Sequence, residues 1–166
     1  MNAIDIVPMT QAHWPAVREI FAQGIATGNA TFETSVPDWA EWDARHLRAC
    51  RLVAIRKGDV LGWAALSPVS ARHVYRGVAE VSVYIAETAR GKGIGAALLA
   101  ALITESERAG LWTLQAVIHA DNQASIRLHE KAGFRMVGRR ERIGCMNGIW
   151  RDTVLMERRS AVVGRS

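Results

Sequence analysis

Residues 80–97, EVSVYIAETARGKGIGAA, decide the fold, because they join an alternating strand to a glycine-rich basic loop and the start of an apolar helix. The strand places Glu80, Ser82 and Tyr84 on one face and Val81, Val83 and Ile85 on the other. The glycines of the loop at 90–95, RGKGIG, let backbone N–H groups approach a ligand closely. The helix that follows offers the free N–H groups and the positive dipole end of its first turn. This segment therefore predicts a cradle for an anion such as a phosphate.

Three alternative roles for this loop fit its residues less well. A nucleoside-triphosphate loop needs G-x-x-x-x-G-K-[ST], which the sequence lacks. Gly91-x-Gly93-x-x-Ala96 satisfies a dinucleotide fingerprint formally, but the acidic residue expected about 20 positions later is missing, since Asp121 comes too late. A loop that merely turns a strand into a helix is the structural alternative. Five glycines or basic residues in six positions disfavour it.

Two motifs in order resemble one known family. Arg90-x-x-Gly93-x-Gly95 resembles the pyrophosphate-binding loop of the GNAT superfamily of acetyl-CoA-dependent N-acetyltransferases. Residues 122–134, NQASIRLHEKAGF, are similar to the superfamily's N-x-x-S/A helix that ends in G-F. The resemblance implies acetyl-CoA as cosubstrate, held by the end of the strand, the loop and the later helix. The implied contacts are Val83, Tyr84, Ile85, Arg90, Gly91, Lys92, Gly93, Ile94, Gly95, Ala96, Asn122 and Ser125.

Composition agrees with one enzyme domain. The chain has 166 residues, 49% of them apolar and 22% charged, which is ordinary for a globular domain. Its net charge of +5 comes from scattered Lys and Arg, which favours a solvated surface over a nucleic-acid site. The two cysteines build no disulfide framework, and no apolar run approaches the roughly 20 residues of a membrane span. The first residues, MNAIDIVPMT, lack a signal-peptide pattern. We expect a cytoplasmic protein that binds no nucleic acid, membrane or metal.

The periodicity along the chain predicts a mixed α/β (α+β) domain over residues 1–160 and a flexible tail at 161–166. Thr10 and Asp38 are expected to cap two helices, and residues 57–59, KGD, are a hairpin signal. The predicted strands are 3–7, 51–56, 60–66, 80–85, 113–118, 135–143 and 150–157, with a loop at 67–77 and a last helix at 123–132. This order resembles the GNAT arrangement, a single mixed and mostly antiparallel sheet of about seven strands flanked by four helices. A doubly wound fold would alternate strictly.

Three further segments resemble the branch that contains phosphinothricin and methionine sulfoximine N-acetyltransferases, which acetylate the α-amino group of small amino-acid analogues. They are residues 30–34, ATFET; residues 70–80, SARHVYRGVAE; and residues 144–152, GCMNGIWRD, in which Asn147 replaces a frequent aromatic residue. The resemblance implies a homodimer whose closing strands lie near the partner's active site. For the acceptor it implies Thr31, Phe32, Arg72, Tyr75, Glu80 and Trp150, with the Arg72 guanidinium on a carboxylate.

The chemistry needs a base and a route for the leaving thiolate. Deprotonating an α-amino group of pKa near 8 costs about 1.4 kcal/mol at pH 7, a demand that the Glu80 carboxylate meets directly or through water. A strand N–H near Val83 or Tyr84 would stabilise the developing oxyanion. His129 stands where many members of the superfamily carry a tyrosine thought to protonate the thiolate, and Tyr84 is a second candidate donor; packing is the alternative for both. His119 belongs to no motif and is expected to be structural or on the surface.

Rival functions stay open at this point. Transfer through a thioester on Cys50 or Cys145 lacks a recognisable nucleophile–base motif, so direct transfer in a ternary complex is favoured. A polyamine, an aminoglycoside or a protein N-terminus are alternative acceptors, although a polycation would favour an acidic groove and this chain is net basic. A non-catalytic nucleotide-binding module and a dehydrogenase are the alternatives from other classes.

Overall fold

A computed structural model describes residues 3–165, which form one mixed sheet with helices on both faces. Its elements in chain order are β1 (Asp5–Pro8), α1 (Trp14–Ala26), α2 (Trp39–Arg45), β2 (Leu52–Arg56), β3 (Asp59–Pro68), β4 (Val78–Ile85), α3 (Ile94–Arg108), β5 (Thr113–His119), α4 (Gln123–Lys131), β6 (Arg135–Met146) and β7 (Ile149–Arg159). Seven strands and four α-helices in the described part of the chain confirm the predicted fold class.

The sheet has the order β1-β2-β3-β4-β5-β7-β6, and every neighbouring pair is antiparallel except β4 and β5. That parallel pair is short, because its register covers only Val78 with Thr113, Ala79 with Leu114, and Glu80 with Gln115. Beyond Glu80 the two strands diverge while each continues for several residues. The middle of the sheet therefore opens into a gap, and this gap positions the site.

The core lies on both faces of the sheet. On one face, α1 buries Val17, Ile20 and Phe21 at helical spacing, and the Phe21 ring lies 5.6 Å from the Trp63 ring of β3. On the other face, α3 packs so closely on Gly62 that a Cβ there would stand 3.0 Å from Leu98 Cδ1. Since neighbouring strand residues point to opposite faces, Gly62 and Trp63 mark the two layers of the core.

The structure departs from the predicted boundaries mainly at the last two strands. The prediction ended one strand at 143 and began the next at 150, whereas β6 and β7 form a continuous hairpin closed by Asn147 and Gly148. Both turn residues have positive φ, 53° and 78°, as a tight hairpin turn requires. The Asn-Gly pair is itself a strong hairpin signal, and it was available in the sequence.

Other departures are smaller. β1 begins at Asp5 rather than at residue 3, β3 continues to Pro68, and the predicted loop at 67–77 contains a 3-10 turn at His73–Tyr75. Residues 161–165 are attached to the domain, because the Arg159 guanidinium donates to the carbonyls of Val163 and Gly164. The expected domain end near residue 160 stays a prediction. None of the helices within residues 3–165 is long and apolar enough to cross a bilayer.

Candidate active site

A cleft of about 850 Å³ occupies the gap between the diverging strands β4 and β5. Its walls come from residues within the segments 24–33, 80–85, 89–96, 116–119 and 122–129, together with Thr153 of β7. The volume lies in the range of small-molecule sites, about 300–1,000 Å³. Four regions that are far apart in sequence, 24–33, 80–96, 116–129 and residue 153, therefore meet in one place, and the glycine-rich loop lies in one of them.

The glycine-rich loop forms one end of the cleft, as predicted. Gly91 and Gly93 have φ of 75° and 81°, a left-handed conformation that side chains with a Cβ adopt only under strain. Gly93 caps α3 without a side chain, and the first intrahelical bond runs from Ala97 N–H to the Gly93 carbonyl. The N–H groups of residues 94–96 thus lack acceptors inside the helix. A Cβ at Gly91 or Gly93 would meet nothing within 4 Å, so the space beside these groups is open to an anion.

Glu80 lies at the narrow end of the cleft, on the last residue pair that joins β4 to β5. The side chain of its partner Gln115 donates from Nε2 to Glu80 Oε1 at 3.0 Å. This bond orients the carboxylate at the point where the strands begin to diverge. The position agrees with the role of base that the sequence predicts, and that role stays a prediction.

Tyr84 lies farther along β4 with its ring against α1. The ring stacks on Trp63 at 4.9 Å between centroids, and a Cβ on Gly24 would stand 2.6 Å from Tyr84 Cδ1. Burial, opposed by a hydrogen bond with Thr31 and reinforced by the charge of Glu33, raises the pKa of Tyr84 to about 12. The hydroxyl therefore keeps its proton at neutral pH, and the ring also packs in the core.

His129 lines the cleft from α4 and is almost completely buried. Its Nδ1 lies 2.7 Å from the Ser125 carbonyl, which accepts hydrogen bonds only, so Nδ1 carries the proton. Burial, partly offset by that bond, lowers the pKa of His129 below its ordinary value. Near neutral pH the imidazole is therefore uncharged, and the buried Nε2, without a partner among the described residues, acts as an acceptor.

Asn122 joins the later helix to the loop after α1. Its Oδ1 accepts from Ser125 N–H at 3.2 Å and caps α4, while its Nδ2 donates to the Asn29 carbonyl at 3.1 Å. Both ends of the side chain thus bond to backbone. The cofactor contacts expected at Asn122 and Ser125 stay predictions, and both residues line the cleft.

A clamp that sequence reasoning missed holds the same loop from β7. Arg151 donates from Nη1 to the Gly28 carbonyl at 2.9 Å and from Nη2 to Asn29 Oδ1 at 2.8 Å. Asp121 accepts from the same guanidinium at 3.1 Å. Arg151 lies inside the segment 144–152 that carries the family resemblance, but only the tertiary fold shows its role.

The structure brings most of the predicted site residues together and leaves four elsewhere. Thr31 and Phe32 line the cleft, as do Val83, Ile85, Arg90, Ile94, Gly95 and Ala96. Lys92 is exposed and donates to the Thr88 carbonyl instead. The Arg72 guanidinium stacks over the exposed Tyr75 ring at 5.5 Å. Trp150 is 60% exposed near the hairpin end of β7. Arg72, Tyr75 and Trp150 therefore lie outside the lining of the cleft. The acceptor-binding roles expected for them stay predictions.

Two polar residues of the cleft were not predicted. His119 at the end of β5 is 4% exposed, so of the two expected alternatives, structural or on the surface, the second does not apply. Its ring meets the Phe32 ring edge to face at 4.7 Å. Thr153, its cross-strand partner on β7, is 1% exposed. No sequence motif marks this pair, because only the pairing of β5 with β7 brings the two residues together.

The described residues contain no group of three or more His, Cys, Asp or Glu side chains able to hold a metal ion. The polar groups of the cleft are instead backbone N–H groups, two carboxylates (Glu33 and Glu80), one guanidinium (Arg90), two side-chain amides, two imidazoles and hydroxyls. Such a set suits an anionic cosubstrate and proton transfer to or from an acceptor.

Comparison with known proteins assigns the family. The profile of the acetyltransferase (GNAT) family matches residues 14–134, which include α1, the diverging strands, the glycine-rich loop and α4. The chain belongs to the acetyltransferase (GNAT) family. As a GNAT enzyme it is an acetyl-CoA-dependent N-acetyltransferase.

Relatives with named activities cover most of this GNAT chain. It is 40% identical to the phosphinothricin N-acetyltransferase of Alcaligenes faecalis over 151 residues, 87% of this chain and 76% of the relative. It is 31% identical to the L-methionine sulfoximine/L-methionine sulfone acetyltransferase of Pseudomonas aeruginosa over 152 residues, 88% of each chain.

Solved structures agree over nearly the whole fold. A GNAT superfamily phosphinothricin acetyltransferase of Sinorhizobium meliloti in complex with acetyl-CoA superposes with a TM-score of 0.88, 31% identity, and coverage of 98% of this chain and 91% of that one. A ribosomal-protein-alanine N-acetyltransferase of Brucella melitensis gives a TM-score of 0.87, 34% identity, and coverage of 94% and 99%. Acetyl-CoA is thus the cosubstrate of this fold, and the glycine cradle has the open space and N–H groups for its diphosphate.

Proposed function

We propose that this enzyme transfers the acetyl group of acetyl-CoA to the α-amino group of a small amino acid or analogue of the methionine sulfoximine, methionine sulfone or phosphinothricin type. The observation that carries the proposal is the cleft itself. It joins the anion cradle of α3 at one end to the Glu80 carboxylate and the loop at 24–33 at the other. The names of the relatives support the acceptor class.

In this proposal the reaction is a direct transfer within a ternary complex. Glu80 takes a proton from the acceptor's ammonium group, directly or through water, and the neutral amine attacks the thioester carbonyl. N–H groups of β4 near Val83 and Tyr84 stabilise the oxyanion that develops on that carbonyl. Burial, reinforced by Glu105, raises the pKa of Cys50 to about 11, and Cys50 lies outside the cleft. Cys145 also lies outside the cleft, so the structure favours direct transfer over an acetyl-cysteine intermediate.

The proton that returns to the thiolate comes most easily from water. His129 is uncharged near neutral pH because its pKa is lowered, so it lacks the extra proton that a general acid must give up. Tyr84 keeps its hydroxyl proton, but burial raises its pKa to about 12, so transfer of that proton to a thiolate whose thiol has a pKa near 8.5 is uphill by about 5 kcal/mol.

A homodimer belongs to the same proposal. The hairpin of β6 and β7 exposes apolar side chains, with Ile143 52%, Ile149 63% and Trp150 60% exposed. A second copy packed on this hairpin would cover them and would bring Trp150 toward a neighbouring cleft. Sedimentation analysis over a range of concentrations tests it: wild-type protein should sediment as a dimer and Ile149→Arg as a monomer. A wild-type monomer would contradict the proposal. The cytoplasmic location expected from the sequence stays a prediction.

The acceptor class is tested by thiol release with acetyl-CoA and a panel of acceptors: methionine sulfoximine, methionine sulfone, phosphinothricin, ordinary amino acids, polyamines and an alanine-terminated peptide. We expect turnover of the amino-acid analogues. Turnover confined to polyamines or to the peptide would overturn the acceptor assignment.

The role of Glu80 is tested in the same assay. Glu80→Gln should lower kcat by about 100-fold or more and keep the dissociation constant of acetyl-CoA, because a general base contributes about 10²–10⁴. The matched control is Glu19→Gln, an exposed glutamate of α1 outside the cleft. Equal activity of the two variants would remove Glu80 from the mechanism. Retained acetyl-CoA binding with lost turnover also distinguishes an enzyme from a non-catalytic binding module.

A further inference from the structure

Most of the buried polar side-chain atoms that lack a hydrogen-bond partner in the described residues belong to the cleft. Both ring nitrogens of His119, the Thr153 hydroxyl and His129 Nε2 are in this state, and all three residues line the cleft. Leaving a buried polar group unbonded costs about 1–3 kcal/mol, so folded proteins rarely keep several together. Such a cluster inside a ligand cleft indicates groups reserved for a ligand.

His119 and Thr153 form the part of this cluster that lies beside Phe32 of the loop after α1. Gln115, which holds Glu80, lies four residues before His119, and residues at this spacing share a face of the strand. The strand rise separates the two by about 13 Å. Thr153 is the direct cross-strand partner of His119, so its side chain lies on that face too. Phe32, from the loop after α1, closes the same corner against His119.

The pair always presents hydrogen-bond donors. An imidazole carries at least one N–H in every protonation state, and a threonine hydroxyl can direct its proton toward any acceptor in reach. Two donors on neighbouring strands beside an aromatic ring suit a strongly polar oxygen on an otherwise small and apolar group. A thioether or a hydrocarbon side chain would leave both donors unsatisfied.

We propose that His119 and Thr153 bind an oxygen on the acceptor's side chain and thereby select amino acids that carry a sulfone, sulfoximine or phosphinate group. This inference rests on the proposed function, since it assigns residues to the specificity of the same site. The α-amino group lies at Glu80, and the side chain extends along β5 toward His119.

Methionine sulfone and methionine form a matched pair of acceptors, because they differ only in the two sulfone oxygens. We expect the wild-type enzyme to favour the sulfone in kcat/KM, and Thr153→Val to reduce that preference about 3- to 10-fold. His119→Phe, which keeps a ring against Phe32, should do the same. Thr153→Ser keeps the hydroxyl and should keep the preference. Thr104→Val, a threonine on the exposed face of α3 outside the cleft, is the control.

Thermal unfolding separates this role from a structural one. If the hydroxyl is reserved for a ligand, Thr153→Val should keep or raise the melting temperature. Valine has nearly the same shape as threonine but lacks the buried hydroxyl that has no hydrogen-bond partner. A melting temperature lowered by several degrees would show that the hydroxyl is bonded within the fold, and would overturn the inference. The inference would also be overturned if both Thr153→Val and His119→Phe kept the wild-type ratio of kcat/KM for methionine sulfone to that for methionine. The proposed function would stand in that case. A wild-type enzyme that acetylates none of the amino acids would overturn both.

Discussion

The Arg151 clamp makes a prediction about how the acceptor wall of the cleft is held. We expect Arg151→Met, which keeps the length and apolar stem of the side chain, to loosen the segment 27–33. The guanidinium donates to Gly28 and Asn29, and that stretch continues into the residues at 30–33 that line the cleft. The acceptor should therefore bind less well, while the cradle for acetyl-CoA on α3 remains intact.

The size of the effect follows from the contacts. The Arg151 side chain is 17% exposed, and its two bonds to the loop are worth about 1 kcal/mol each at a partly exposed site. The ion pair with Asp121 adds little, because that carboxylate is 72% exposed. The sum of about 2 kcal/mol corresponds to about 30-fold. Since Asn122 still holds the Asn29 carbonyl, we expect a 5- to 30-fold loss in kcat/KM for the acceptor.

Two measurements check this prediction. Hydrogen exchange read by mass spectrometry should show faster exchange across 27–36 in Arg151→Met than in the wild type, and steady-state kinetics should show the rise in acceptor KM. Arg108→Met is the matched control, because this exposed arginine at the end of α3 pairs only with Glu105 in the described structure. Wild-type exchange in 27–36 together with a wild-type acceptor KM would refute the reasoning about the clamp.

Three further predictions concern the cleft and its surroundings. Gly144→Ala should raise the acceptor KM several-fold with little effect on acetyl-CoA affinity, because a Cβ there would stand 2.6 Å from Phe32 Cζ and displace that ring; unchanged kinetics would contradict it. Gly93→Ala should weaken acetyl-CoA binding in calorimetry by about 1–2 kcal/mol, the cost of the φ of 81° for a residue with a Cβ; wild-type affinity would show that the cradle tolerates another backbone. Burial lowers the pKa values of His129 and His46 in the folded state, so their stabilisation is present above the ordinary value of 6.5 and is lost as the pH falls below it. The melting temperature of the wild type should therefore drop between pH 7 and pH 5, and the drop should be smaller in His129→Gln. A drop of equal size in that variant would exclude His129 as a contributor.

The sequence predicted features that depend on neighbouring residues and missed those that depend on the folded sheet. The glycine-rich loop, the alternation along β4 and the Asp38 cap of α2 are local, so patterns within a few residues reveal them. The clamp joins Arg151 to a residue 123 positions away, and Asn122 reaches Asn29 across 93 positions. Nothing in the composition of either segment indicates such a contact.

The divergence of β4 from β5 is the main feature that no pattern predicted. Glu80 could be identified as a candidate base from its place before the loop, but the reason for its position is that the parallel ladder ends at its pairing with Gln115. The same divergence exposes the far end of β5, where His119 faces the cleft. Sequence reasoning set this residue aside as structural or on the surface, because it belongs to no motif.

The architecture separates the two substrates, and this separation has a testable physical consequence. The proposed cradle for acetyl-CoA is built from α3 and β4, elements joined through the buried core of Ile94, Leu98 and Leu102. The acceptor wall is built largely from the loop at 27–33, which is held by hydrogen bonds from Asn122 and Arg151 rather than by a core of its own. Because hydrogen bonds at the surface contribute less than buried apolar packing, the acceptor wall is the part that opens at the lowest free energy. Acetyl-CoA affinity should therefore vary little among variants of this loop, and acceptor specificity should vary most.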